Sequence, residues 1–134
     1  MNKKRVEELI NKAKNDRKIL AVFLFGSFLR NKHPEDIDVC LVLRKDVKKS
    51  EFSKIKLKYL SDFPDLDISI FQQLPIYIRK RVIKEGKILL MKDFDELYDI
   101  VIDTIKEFDD FKKIYKMYLQ SLLAYYNLNY QLKN

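Results

Sequence analysis

The chain has 134 residues, 47% of them apolar, with eight tyrosines and nine phenylalanines, enough for one packed domain over 1–134, which excludes a disordered chain. No apolar run reaches the ~18 residues of a membrane span, and Met1-Asn2-Lys3-Lys4-Arg5 opens a charged helical pattern rather than a signal-peptide core. A cytoplasmic protein without membrane attachment is therefore expected, and the net charge of +7 favours anionic partners.

That charge is mostly lysine, which solvated faces also carry, so nucleotides or an acidic protein surface are expected before nucleic acid. Residues 3–15 place Val6, Leu9, Ile10 and Ala13 on one helical face. The run Ile19-Leu-Ala-Val-Phe-Leu-Phe25 is apolar throughout, too short for a typical helix, and stops at Gly26-Ser27, as a buried central strand would. Ile37 to Leu43 reads as a second buried strand, with Cys40 in it as an inert buried thiol; a single cysteine excludes an internal disulfide.

Residues 50–60 fit a helix capped by Ser50 with Phe52, Ile55 and Tyr59 inward, although Ile55-Leu57-Tyr59 also alternates as a strand would. Asp67 to Phe71 alternates strictly and predicts a third strand. Pro75 at a first helical position and Gly86 past the end bracket a helix. Lys87 to Met91 is a short fourth strand. Asp93 and Glu96 have capping-box spacing before a long helix, about 94–122, whose stripe runs Leu97, Val101, Ile105, Phe108, Phe111, Tyr115, Tyr118, Leu122. The tail from Tyr125 either frays or docks on a partner. The expected fold is α/β (α+β): a small mixed sheet, with a core over about 19–91, flanked by helices and followed by the long C-terminal helix.

Asp36 and Asp38, one residue apart at a strand entry, point the same way, because strand side chains alternate. Two neighbouring carboxylates repel unless a cation lies between them, and Mg²⁺ held by one or two carboxylates plus substrate phosphates is the usual solution. Asp67 opens the next strand and can add a third carboxylate. Gly26-Ser27 ends a buried strand, where exposed amides and a hydroxyl suit a triphosphate, and Arg30 can neutralise phosphate charge. A Gly-Ser pair alone is most often a turn, and Asp-x-Asp alone is most often solvated charge. Their order on consecutive apolar strands is what points to a nucleotide site. His33, the only histidine, reads as a surface residue, and Arg79-Lys80-Arg81 as either a solvated cluster or a site for phosphate or an acidic partner. No cysteine–histidine set fits zinc and no P-loop occurs.

Gly26-Ser27-x-x-Arg30 followed by Asp36-Ile37-Asp38 resembles the signature of the polymerase-β-type nucleotidyltransferase superfamily, and more narrowly that of the minimal nucleotidyltransferases (MNT). Leu66-Asp67-Ile68, Leu74-Pro75, Arg79, Ile83 and Glu85 to Leu90 extend the likeness over about 19–120. Leu29 and Asn31 stand where that family usually carries Ala and Gly, and Glu35 where it usually carries Ser. The resemblance implies transfer of a nucleoside monophosphate from ATP or another NTP to a hydroxyl. Asp36, Asp38 and Asp67 would hold Mg²⁺, two ions, and Gly26, Ser27 and Arg30 would hold the phosphates. It further implies an antitoxin that modifies a helical HEPN-type toxin, in a homo- or hetero-oligomer. A subunit neutralising its partner by steric cover, and an enzyme acting on a small hydroxylated molecule, are the competing expectations.

Overall fold

The computed structural model describes residues 3–26 and 38–133, with side chains to residue 127. Helix α1 (Lys3–Lys14) leads into β1 (Ile19–Phe25), which pairs antiparallel with β2 (Asp38–Leu43). Helix α2 (Phe52–Asp62) carries the chain back so that β3 (Asp67–Ile70) lies parallel to β2. Helix α3 (Ile76–Glu85) then leads to β4 (Lys87–Met91), antiparallel to β1, and α4 (Phe94–Lys133) closes the order. Among the described residues the strands form one mixed sheet in the order β3-β2-β1-β4. The α/β reading holds. No described helix is long and apolar enough to cross a membrane.

The sheet is covered on both faces, which is why β1 and β2 read as continuous apolar runs. Val22, Leu24, Val39, Leu41, Ile68 and Ile70 pack under α1 and α2 with Leu9, Ala13, Ile55 and Tyr59. Leu20, Phe23, Cys40 and Val42 pack under α3 and α4 with Val82, Leu97 and Ile100. Burial pushes the Cys40 thiol up to about 12, so at neutral pH it is a protonated core group.

Several polar side chains finish what the backbone leaves open. Strand β3 stops at Ile70, opposite Leu41. Beyond it, Gln72 donates Nε2–H to the Leu43 carbonyl (2.8 Å) and accepts from the Leu43 amide (3.1 Å). One amide side chain thus replaces the missing residue of the edge strand. Lys92 donates to the carbonyls of Ala13 and Asp16, both at 2.7 Å, capping the end of α1. The Tyr59 hydroxyl donates to Asp16 at 2.9 Å and ties α2 to the same corner.

Some sequence expectations change in detail. Ser50 is not a cap: it lies within a 3₁₀ turn, Lys49–Glu51, which runs directly into α2. Phe71 leaves the predicted third strand and begins another such turn, Phe71–Gln73. Pro75 precedes α3 as its cap residue instead of opening it. Gly86 has φ −71°, so no left-handed turn requires it. Close approach does: a Cβ there would strike the Val82 carbonyl and lie 3.1 Å from the Phe23 ring. Only half the capping box forms. The Glu96 amide donates to Asp93 (3.1 Å), while the Glu96 carboxylate turns to Arg44 (3.2 Å) and the Lys45 amide (3.0 Å). Helix α4 does not end near 122 but continues to Lys133, since no Gly or Pro interrupts it.

Replacing Gln72 by Leu strands a buried amide and a buried carbonyl, and should lower stability by ~1–3 kcal/mol. Gln73→Leu, at an exposed neighbour, should stay within ~0.5 kcal/mol. Urea unfolding with unchanged m-value reads both. Cys40 should react with an aromatic disulfide reagent at neutral pH only as fast as the protein unfolds; immediate reaction of the native protein would contradict its burial.

Candidate active site

Strand pairing brings the chemistry-bearing residues to one end of the sheet. Phe25, the last residue of β1, sits opposite Asp38, the first of β2, and Gly26 follows directly. Across the parallel pair Asp38 is the register partner of Asp67, the first residue of β3. Parallel neighbours in register point the same way on strands about 4.8 Å apart. Both carboxylates lie on the α3/α4 face, because Val39 and Ile68, one residue on, belong to the opposite cluster. Asp38 is half-buried and Asp67 exposed.

Gly26 is held at φ +89°, a conformation that L side chains rarely adopt. A second constraint is tighter. A Cβ on Gly26 would coincide with the Asp38 carboxylate, so the turn and the carboxylate occupy adjoining space that only glycine leaves open. The Asp38 side chain is thereby seated against backbone, at the point where the chain leaves β1.

Ser69, two residues along β3 from Asp67, is the register partner of Cys40 and hydrogen-bonds with it. Sequence reasoning passed over this serine, although the Asp67-x-Ser69 alternation put it on the carboxylate face. Among the described residues no group of three His, Cys, Asp or Glu forms a metal cluster. Two carboxylates meet here. They are hard oxygen donors, and among the described residues the sulfur on this face, Cys40, is a buried protonated thiol, so this pair suits a magnesium-class ion better than zinc. Ser27, Arg30, His33, Glu35 and Asp36 lie outside the described residues.

Arg79 does not face this site. Its guanidinium donates to the Leu74 carbonyl (3.0 Å) and to both Glu107 oxygens (3.0 and 3.1 Å), fastening α3 to α4. Arg81 pairs with Glu85 (3.5 Å) and Lys80 lies over the Phe108 ring (5.1 Å). Arg79 is thus taken up in holding α3 to α4, whereas Arg81, paired within its own helix, stays on the exposed face.

Residues 7–95 match the family model described as Polymerase beta, Nucleotidyltransferase. The chain is 32% identical over 101 residues to a putative protein adenylyltransferase of Methanocaldococcus jannaschii, covering 74% of this chain and 71% of that relative. Among solved structures, it resembles a chain of a toxin–antitoxin crystal structure with AMP-PNP (TM-score 0.64, 17% identity, 92% of this chain and 99% of that one). It also resembles a chain of the complex between a tri-AMPylated Shewanella oneidensis HEPN toxin and an MNT antitoxin (TM-score 0.60, 19% identity, 90% and 98%). At those identities the structural likeness establishes the fold.

The contact between Gly26 and Asp38 predicts an energetic coupling. Gly26→Ala should cost ~1–3 kcal/mol in the native background. In an Asp38→Ala background the cost should shrink by at least ~0.5 kcal/mol, because the clash is gone and only the positive φ remains. Equal costs in the two backgrounds would show that the carboxylate does not rest on this glycine.

Proposed function

Because the chain belongs to the polymerase-β nucleotidyltransferase family, we propose that it moves a nucleoside monophosphate, AMP foremost, from an NTP to a hydroxyl of a partner protein. The observation that carries this reading is the meeting of Gly26, Asp38 and Asp67 at one sheet end. In this reading Asp36, Asp38 and Asp67 hold magnesium, two ions, while the Gly26-Ser27 turn and Arg30 hold the triphosphate. The bound metal supplies charge neutralisation at the attacking and leaving oxygens of an in-line displacement. Asp38, braced against Gly26, is the positioned carboxylate. Asp67, exposed on the outer strand, is open to the incoming acceptor and is the group to receive its proton.

The name of the Methanocaldococcus relative supports a protein acceptor. The toxin–antitoxin complexes among the structural neighbours support a helical HEPN-type toxin as that protein, with this chain as its antitoxin. Carboxylates repel a triphosphate unless a cation lies between them, so in this reading NTP binding depends on the metal.

Two measurements test this. Calorimetry with ATP, GTP, CTP and UTP should show binding that requires Mg²⁺ and is lost in Asp36→Asn/Asp38→Asn, with ATP bound tightest. Mass spectrometry of a co-expressed helical toxin should show added AMP with wild type. Transfer should fall by about 100-fold or more with Asp38→Asn or Asp67→Asn, several kcal/mol of transition-state stabilisation. Neutralisation that survives both substitutions undiminished would replace this reading with steric cover of the toxin.

A further inference from the structure

Helix α4 changes character along its length. Residues 93–110 hold eight Asp or Glu and one Lys, whereas 111–133 hold four Lys and no acid, and 117–132 carry no charge at all. The first turns rest on the body through Leu97, Ile100 and Thr104. From Phe111 to Asn127 every residue is exposed. Yet the apolar stripe continues there, through Phe111, Tyr115, Tyr118, Leu122 and Tyr125, at alternating steps of four and three. Tyr118 is 57% exposed, Leu122 44% and Tyr125 68%.

A solvated helix face would alternate apolar with charged groups. An uncharged helix with a heptad seam is instead the pattern of a helix covered by another. We infer that the covering element is the same segment of a second copy of this chain, packed antiparallel as a two-helix seam.

Three features support this occupant. The seam is self-complementary, as a two-fold interface requires: aromatic and leucine positions of one copy meet the same kind in the other. The uncharged segment 117–127 makes no demand for counter-charges, and a second copy presents none. The area suffices. Five mostly aromatic stripe residues, about half exposed and each offering ~150–250 Å², give on the order of 1,000 Å² over two copies. Ile114, Leu119 and Tyr126 beside the stripe carry that into the range of a specific interface. Charge sets the direction. Side by side, parallel helices would place Lys112, Lys113 and Lys116 of both copies together, next to two bodies of like charge. Antiparallel packing sends these lysines to opposite ends, each beside uncharged residues of the other helix.

Light scattering coupled to size-exclusion chromatography should give twice the chain mass, falling to the monomer on dilution. Small-angle scattering should show an extended particle with the bodies at its two ends. Leu122→Glu should weaken association at least ~30-fold, since two unpaired carboxylates enter the seam. Leu122→Met, which keeps the apolar volume, should not, and neither should Leu57→Glu on exposed α2. A monomer at every concentration would overturn the proposal, including one that becomes covered along α4 only by a helical toxin. So would a dimer indifferent to Leu122→Glu, or one whose two bodies lie together. None of these outcomes depends on nucleotide transfer, which Leu122 does not touch.

Discussion

The site depends on β2 being paired in two senses at once. Antiparallel pairing with β1 puts the end of one strand beside the start of the next, so Gly26 meets Asp38. Parallel pairing with β3 demands that the chain travel back to the end it started from before the strand begins. Helix α2 makes that return, and Ile55 and Tyr59 bury its inner face against the sheet. The outcome is a second carboxylate in register with the first. Had β3 joined through a hairpin, Asp67 would lie at the far end of the sheet.

The same strand governs how the opposite end is closed. Because β3 is shorter than β2, Leu43 would keep an unpaired amide and carbonyl at its edge, and Gln72 takes both. Lys92 does the equivalent at the end of α1. Burial lowers its pKa from the ordinary lysine value, an effect opposed by Asp16 nearby. Both side chains act on backbone groups, and both lie far from the carboxylate end. Gln72 and Lys92 thus close one end of the sheet, and Asp38 and Asp67 stand at the other.

The fold was legible where periodicity and burial agree. Ile19–Phe25 and Asp38–Leu43 are apolar because both of their faces are covered, and α1 and α2 each carry their buried residues four apart, Leu9 with Ala13 and Ile55 with Tyr59. The positions of Asp38 and Asp67 at strand starts were legible because alternation and strand starts are local properties. What the sequence could not display is what one residue needs from another distant in the chain. Gly26 reads as a turn glycine, but its contact with Asp38 arises only when β1 and β2 pair. Glu96 reads as the second half of a capping box, yet Arg44 and the Lys45 amide, some fifty residues earlier, take its carboxylate. Arg79 reads as a surface cation until α4 brings Glu107 to it.

Helix α4 shows where a single chain stops being sufficient. A 40-residue helix spans about 60 Å, far more than a sheet of four- to seven-residue strands can cover. Its first turns meet that sheet, and their inward residues are buried. Beyond them, from Phe111 to Asn127, the apolar seam is exposed. From sequence the stripe reads equally as a core or an interface face, because amphipathic spacing reports which side of a helix is apolar and not what lies against it. The switch from an acidic first half to a second half without acidic residues marks the place where the body ends. Beyond that point the helix presents an exposed apolar face, whereas the strand ends that gather Gly26, Asp38 and Asp67 are built within the body.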